Sequence, residues 1–182
     1  MVDAAILRAA IELLADRGYQ DLSIAAVAVR AEVGKPAIYR RYASKAQLVI
    51  AAIEQLASAP EPELPTDTRA ALAVLLAAAA RVIGTPGGLA IMGSLLAQGA
   101  HDPELIEVFR DRIVRPRHAV VEALMRRAIG RGEVREDVDL EAVDAMLFGS
   151  ILARATLGEP LDTPWAERVV AAVWDAISTD RP

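Results

Sequence analysis

Cationic side chains gather in one short segment of the sequence, residues 33–45. This segment carries four positive charges and no acid, and it contains both lysines of the chain, Lys35 and Lys45. Ammonium and guanidinium groups bind phosphate, so a surface of this kind can hold a nucleic-acid backbone. An ordinary solvated helix face is the alternative that the charges alone leave open.

The charge of the chain is distributed unevenly, although its net value is −5. Residues 1–50 contain seven basic and five acidic side chains, for +2, whereas residues 51–182 contain 13 and 20, for −7. A basic region on an acidic chain indicates a local phosphate-contacting surface.

The sequence offers little for catalysis or metal binding. It has no cysteine, and its two histidines, His101 and His118, cannot form a multi-histidine metal centre or a motif with a nucleophile. The glycine-rich stretch 84–88 lacks the lysine of a phosphate loop, and we interpret it as a helix connection. The acidic run formed by Asp137, Asp139, Glu141 and Asp144 is interpreted as a solvated face with a cap rather than a cation site. We therefore expect no enzyme, no cofactor and no metal.

Short helices must position the basic segment. Apolar residues recur at helical spacing from Ile6 to Leu14, and Gly18 is expected to end that first helix. Ser23 can cap a second helix over 23–30, and the sequence predicts a third over 35–42. Ser44 opens a fourth helix with a capping-box pattern to Gln47.

The second and third helices are separated by four residues, which is the arrangement of a helix-turn-helix. In that motif the second helix enters the major groove of DNA. The acid-free basic segment falls on this second helix, with Ile38 and Tyr42 expected to face inward. A plain three-helix core with incidental surface charge is the competing interpretation.

The rest of the chain also favours helix, which predicts an all-α fold of about nine helices. Prolines at positions 60, 62 and 65 form the one plausible domain boundary, and Pro116 is expected to kink the helix that contains it. Asp102, Asp139 and Thr163 are the expected caps of the last three helices. The five predicted helices beyond the prolines span 67–83, 87–99, 103–130, 140–157 and 164–178.

The segment SIAAVAVRAEVGKPAIYRRYASKAQLV resembles the DNA-binding signature of the TetR family of transcriptional repressors. The resemblance lies in a polar cap at Ser23, the turn 31–34, the run 35–37, the pair Ile38-Tyr39 and the ending 42–45. Two positions differ from the usual pattern: Glu32 stands where the family has glycine, and Ala37 where it has threonine. The segments DPELIEVFRDRIVRPR and RGEVREDVDLEAVDAMLFG resemble sequences of an actinobacterial-type branch, and 18 arginines against two lysines suit a GC-rich bacterial genome.

The resemblance implies a ligand-responsive regulator, most simply a repressor, that binds a palindromic operator as a homodimer and is released by a small apolar or amphipathic molecule. Residues 1–46 would form the helix-turn-helix DNA-binding domain, and residues 47–182 the helical ligand-binding and dimerisation domain. The alternative is a helical small-molecule-binding or carrier protein without a role on DNA. No apolar run approaches the roughly 20 residues that a bilayer needs, so we expect a cytoplasmic protein without a membrane partner.

The candidate residues fall into three groups. The expected DNA contacts are Ser23, Lys35, Pro36, Ala37, Tyr39, Arg40 and Lys45. Excess apolar surface on the last two helices, together with the resemblance, predicts a four-helix dimer interface that contains Leu147, Ile151, Val169, Val170, Val173 and Trp174, unless these residues simply close their own core. The resemblance places an effector cavity among the middle helices, with candidates Leu75, Met92, Leu96, Phe109, Ile113, His118 and Met146.

Overall fold

The computed structural model describes residues 2–57 and 63–179, and no β-strand occurs within these ranges. The predicted all-α fold is confirmed. The helices are α1 (Val2–Asp21), α2 (Ile24–Arg30), α3 (Lys35–Tyr39), α4 (Lys45–Ala57), α5 (Thr68–Gly84), α6 (Gly88–Gln98), α7 (Pro103–Phe109), α8 (Arg115–Gly130), α9 (Leu140–Thr156) and α10 (Thr163–Ile177). Each helix of the described ranges is too short or too polar to span a bilayer by itself.

Side chains cap the helices largely where the sequence predicts. Ser23, Asp102 and Asp139 each accept a hydrogen bond from the backbone N–H three residues later. The expected cap at Thr163 is wrong, because Asp162 Oδ1 accepts from the Trp165 N–H at 2.9 Å and Thr163 is already helical. A carboxylate at this position also interacts favourably with the positive end of the helix dipole.

The predicted helix 103–130 is interrupted, which brings the number of described α-helices to ten. A π-helical segment, Arg110–Val114, separates α7 from α8. Pro116 is the second residue of α8 and has no N–H to donate to the carbonyl of Arg112, so the regular bonding pattern cannot continue. The kink expected from Pro116 therefore takes the form of a π turn.

The described residues form two compact units. The first contains α1 to α4, α6, α7 and the π segment, and the second contains α5 and α8 to α10. In the first unit α1 packs against α2, α4 and α6, and its core includes Ile6, Leu14 and Leu48. In the second unit α5 packs against α10 and α9, with Leu76 and Met125 fully buried. Of the prolines expected to form a boundary, Pro60 and Pro62 lie outside the described residues.

Candidate nucleic-acid interface

The helix-turn-helix begins with a capped α2 and a tight turn. Ser23 Oγ accepts from the Ala26 N–H at 3.1 Å, and α2 buries Val27 and Ala28. At its end, the N–H groups of Glu32 and Val33 donate to the carbonyls of Val29 and Ala28. This pair of bonds is the Schellman motif, which requires a left-handed residue after the cap. Glu32 supplies it with φ 55°, at the position where the TetR signature has glycine.

Replacing this strained residue tests the turn. We expect Glu32→Gly to raise the free energy of unfolding by about 0.5–1 kcal/mol, because relief of the left-handed strain exceeds the entropy that glycine adds to the unfolded chain. Urea denaturation measures the change. Glu32→Gln is the control, since it removes the charge but keeps the strain. Equal stabilisation by both variants would assign the effect to charge instead of backbone conformation.

Helix α3 presents one face inward and its polar residues outward. Ile38 is fully buried, whereas Tyr39 is 56% exposed and Lys35 and Arg40 are exposed. Among the described residues, none forms a hydrogen bond or an ion pair with the side chains of Lys35, Tyr39 and Arg40. Two cations and a phenol therefore project from α3 and its C-cap residue Arg40 without competing partners among the described residues. The helix is shorter than predicted, because regular structure ends at Tyr39 instead of residue 42.

The other predicted DNA contacts lie in different environments. Ser23 and Pro36 are exposed, and Ala37 is half-buried. Lys45 is half-buried at the start of α4, where its Nζ donates to the Gln20 carbonyl at 3.1 Å and lies 4.3 Å from the centre of the Tyr19 ring. Desolvation lowers the pKa of Lys45.

Two residues to which the sequence assigns no role, Asp3 and Arg41, help to fix the end of this motif. Tyr42 is buried as expected, and its hydroxyl donates to Asp3 Oδ1 at 2.8 Å. Burial and this bond raise the pKa of Tyr42 to about 12. Arg41 lies 3.4 Å from the same carboxylate and donates to the Ala37 carbonyl. Arg41 is thus engaged within the chain, unlike its neighbour Arg40.

The candidate effector residues are divided between the two units. Met92, Leu96, Phe109 and Ile113 belong to the first unit, and Leu75, His118 and Met146 to the second. Leu96 and Met146 are half-exposed, and the others are partly buried. Two open clefts of about 540 and 400 Å³, one in each unit, are lined by none of these residues.

The candidate dimer residues lie mostly inside their own chain. Leu147, Ile151, Val170 and Val173 are buried in the core of the second unit, and Val169 and Trp174 are partly exposed. Helix α9 has a different exposed apolar face. The exposed residues of this face recur every three or four positions along α9. They are Ala142, Ala145, Met146, Gly149, Leu152 and Ala153.

Asp144 forms a charged cluster in the second unit. It is only 4% exposed, so its interpretation as part of a solvated face is wrong. Its oxygens lie 3.0 Å from His118 Nδ1 and 3.5 Å from Arg117 Nη2. The Arg117 guanidinium also lies 3.8 Å from the centre of the Phe148 ring, and burial lowers its pKa. In the described residues, no group of three or more His, Asp or Glu side chains could hold a metal ion.

Comparison with known proteins identifies the family. Residues 6–52 match the family described as bacterial regulatory proteins of the tetR family, and residues 65–173 match the tetracyclin repressor-like C-terminal domain. The chain belongs to the TetR family of transcriptional regulators. A DNA-binding transcriptional repressor TetR from Mycobacteroides abscessus is 31% identical over 173 residues, which cover 92% of this chain and 88% of that protein. The HTH-type regulator YdeS from Bacillus subtilis is 30% identical over 154 residues, 82% of this chain and 76% of YdeS.

Solved TetR structures share the whole fold. The TetR family transcription regulator SCO0332 superposes with a TM-score of 0.68 at 28% identity and covers 96% of this chain and 97% of its own. A TetR-family regulator from Rhodococcus sp. has a TM-score of 0.73 at 20% identity, with 97% and 98% covered. The α2–α3 motif is therefore the DNA-binding helix-turn-helix of a TetR-family transcriptional regulator.

Proposed function

We propose that this TetR-family regulator is a repressor that binds a palindromic operator as a homodimer and is released by a small molecule. The observation that carries the proposal is the exposed outer face of α3, where Lys35, Tyr39 and Arg40 project while Ile38 anchors the helix in the core. The resemblance to a repressor from Mycobacteroides abscessus supports the direction of regulation.

We assign the DNA contacts by the chemistry of the exposed groups. Lys35, Tyr39 and Lys45 contact backbone phosphates, and Ser23 assists them. Arg40 approaches base edges, where a guanidinium can bind guanine through two hydrogen bonds. Pro36 and Ala37 form the apolar part of the same surface. Two copies of α3, spaced by roughly 34 Å in a dimer, read successive major grooves.

A charge removal at Lys45 tests the docking geometry. We expect Lys45→Ala to weaken binding to operator and random duplexes by similar factors and to reduce the salt slope by about one, because one phosphate contact is lost. Fluorescence anisotropy over a salt series measures both quantities. Lys45→Arg is the control and should keep the slope. Unchanged affinity and slope in Lys45→Ala would place Lys45 outside the interface.

We place the dimer contact on the exposed apolar face of α9. Met146 is 50% exposed and Leu152 is 38% exposed, and small residues between them allow a second helix to approach closely. The partly exposed Val169 and Trp174 of α10 extend the proposed surface. The other residues of the predicted set are buried in the core of the second unit, where α9 packs against α10. They are Leu147, Ile151, Val170 and Val173.

We propose an apolar or amphipathic effector that binds in the larger domain, residues 47–182. Apart from Met146, which we assign to the dimer surface, aliphatic side chains and Met92 dominate the candidate residues, which favours a flexible cavity over aromatic stacking. Linkage requires that a compound that lowers operator affinity also binds the DNA complex more weakly, by the same factor. Calorimetric titration of free and operator-bound protein tests this reciprocity. Because the proposed partner is chromosomal DNA, we propose that the protein works in the cytoplasm.

A further inference from the structure

The ammonium group of Lys45 is held by two residues at the end of α1. Its Nζ lies 4.3 Å from the centre of the Tyr19 ring and donates to the Gln20 carbonyl at 3.1 Å. A lysine on a free surface samples many rotamers, and binding a phosphate would cost that freedom. The ring and the carbonyl remove much of this freedom beforehand, and the remaining ammonium hydrogens stay available to a phosphate.

Tyr19 is itself fixed by two later helices of the same unit. Its hydroxyl donates to Asp102 Oδ2 at 2.6 Å, and its backbone N–H donates to Ser94 Oγ at 2.7 Å. Tyr19 as a whole is 4% exposed. Burial and the Asp102 carboxylate raise the pKa of Tyr19, so the phenol remains a hydrogen-bond donor over the physiological range.

The backbone conformation next to Tyr19 allows the hydrogen bond between its N–H and Ser94 Oγ. Gly18 interrupts the regular helix with φ 73°, and a Cβ built there would lie 3.1 Å from Ser94 Oγ. Glycine at this position thus allows the Ser94 hydroxyl to reach the Tyr19 N–H. Asp102 is equally constrained, because its other oxygen caps α7 by accepting from the Leu105 N–H at 3.1 Å.

We propose that Tyr19 is a positioning residue for DNA binding, which holds the Lys45 ammonium in place for a phosphate. Asp102 and Ser94 make that position depend on α6 and α7. These helices belong to the segment that matches the C-terminal family domain, whereas Tyr19 and Lys45 belong to the N-terminal one. The inference rests on the proposed contact between Lys45 and a phosphate.

A double-mutant cycle between Tyr19 and Lys45 tests the inference, with a short random-sequence duplex as the probe. We expect Tyr19→Leu to weaken binding by roughly three- to tenfold and to reduce the salt slope, because the ammonium loses its support. In the Lys45→Ala background the same substitution should have almost no further effect, since the group that it positions is absent.

Two tyrosine-to-phenylalanine variants separate positioning from stability. Tyr19→Phe keeps the ring but loses the bond to Asp102, and we expect a smaller loss of affinity that also disappears in the Lys45→Ala background. Tyr42→Phe loses a comparable hydrogen bond, the one to Asp3. It should lower the melting temperature without changing the salt slope. If Tyr19→Leu proves too unstable to purify, Tyr19→Phe completes the cycle.

The outcomes distinguish this inference from the function on which it rests. Equal losses from the Tyr19 variants in both backgrounds would overturn the inference and leave the Lys45 contact intact. If the single variant Lys45→Ala keeps the salt slope of the parent protein, both the Lys45–phosphate contact and the positioning role of Tyr19 are overturned. If Tyr42→Phe also reduces the salt slope, the effect of Tyr19→Phe comes from general destabilisation of the helix-turn-helix and not from positioning of Lys45.

Discussion

A double variant, Met146→Glu with Leu152→Glu, is expected to sediment as a monomer and to lose operator affinity by about 100-fold or more. Both side chains project from the exposed apolar face of α9, where two carboxylates per subunit would face those of the partner in a symmetric interface. Desolvating and apposing these charges costs more than the lost apolar contact alone. A monomer engages only one half of the operator and forfeits the avidity of two linked sites, which is typically about 10²–10⁴-fold.

Sedimentation velocity and operator titration measure the two effects on the same preparation. Val29→Glu is the control for sedimentation, because Val29 is 80% exposed on α2 and the change places one carboxylate on an exposed apolar position outside α9. It should sediment like the parent protein. A double variant that remains dimeric would remove the outer face of α9 from the interface. A monomer with full operator affinity would instead contradict the two-half-site arrangement.

The second large effect is expected from the buried carboxylate of the second unit. Asp144→Ala should lower the free energy of unfolding by about 2–3 kcal/mol, because it leaves Arg117 without its acidic partner in a partly desolvated site. This value is below the usual range for a fully buried pair, because the Arg117 and His118 side chains remain 31% and 42% exposed. Urea denaturation monitored by circular dichroism measures it.

The control for Asp144 comes from the same acidic run. The Asp137 side chain is 78% exposed and lies 3.7 Å from Arg135, so Asp137→Ala should cost less than about 0.5 kcal/mol. The loss in free energy of unfolding for Asp144→Asn should lie between those for Asp144→Ala and Asp137→Ala. An amide keeps the shape and a hydrogen-bond acceptor but not the charge. A cost for Asp144→Ala as small as that for Asp137→Ala would mean that water replaces the lost partner.

The sequence alone predicts the helices and their starting points well, because these signals are local. A hydroxyl or carboxylate three residues before a free N–H identifies a cap at Ser23, Asp102 and Asp139. Where two capping residues are adjacent, as at Asp162 and Thr163, the pattern cannot choose between them. Pro116 predicts a break in the helix, although the π turn that absorbs it depends on the surrounding backbone.

The family and its DNA-binding helix are also encoded in a contiguous segment. Residues 23–45 combine a capped helix, a turn and an acid-free basic stretch in one order, which is sufficient to recognise a helix-turn-helix. The left-handed conformation of Glu32 is not evident from its residue type, although the hydrogen bonds of this turn connect residues at most five positions apart.

Tertiary structure decided which side chains are available for function. Helical periodicity identifies an apolar face, but it does not say whether that face meets the same chain or another one, and so Leu147, Ile151, Val170 and Val173 proved to be core. Asp144 looks like one more surface acid in the sequence, yet packing of α8 against α9 buries it.

The sequence around Lys45 gives no sign that its ammonium group has a partner within the chain. Its contact with Tyr19 spans 26 residues, and the bond from Tyr19 to Asp102 spans 83. Such contacts form only after the helices pack, so no local pattern of residues can specify them.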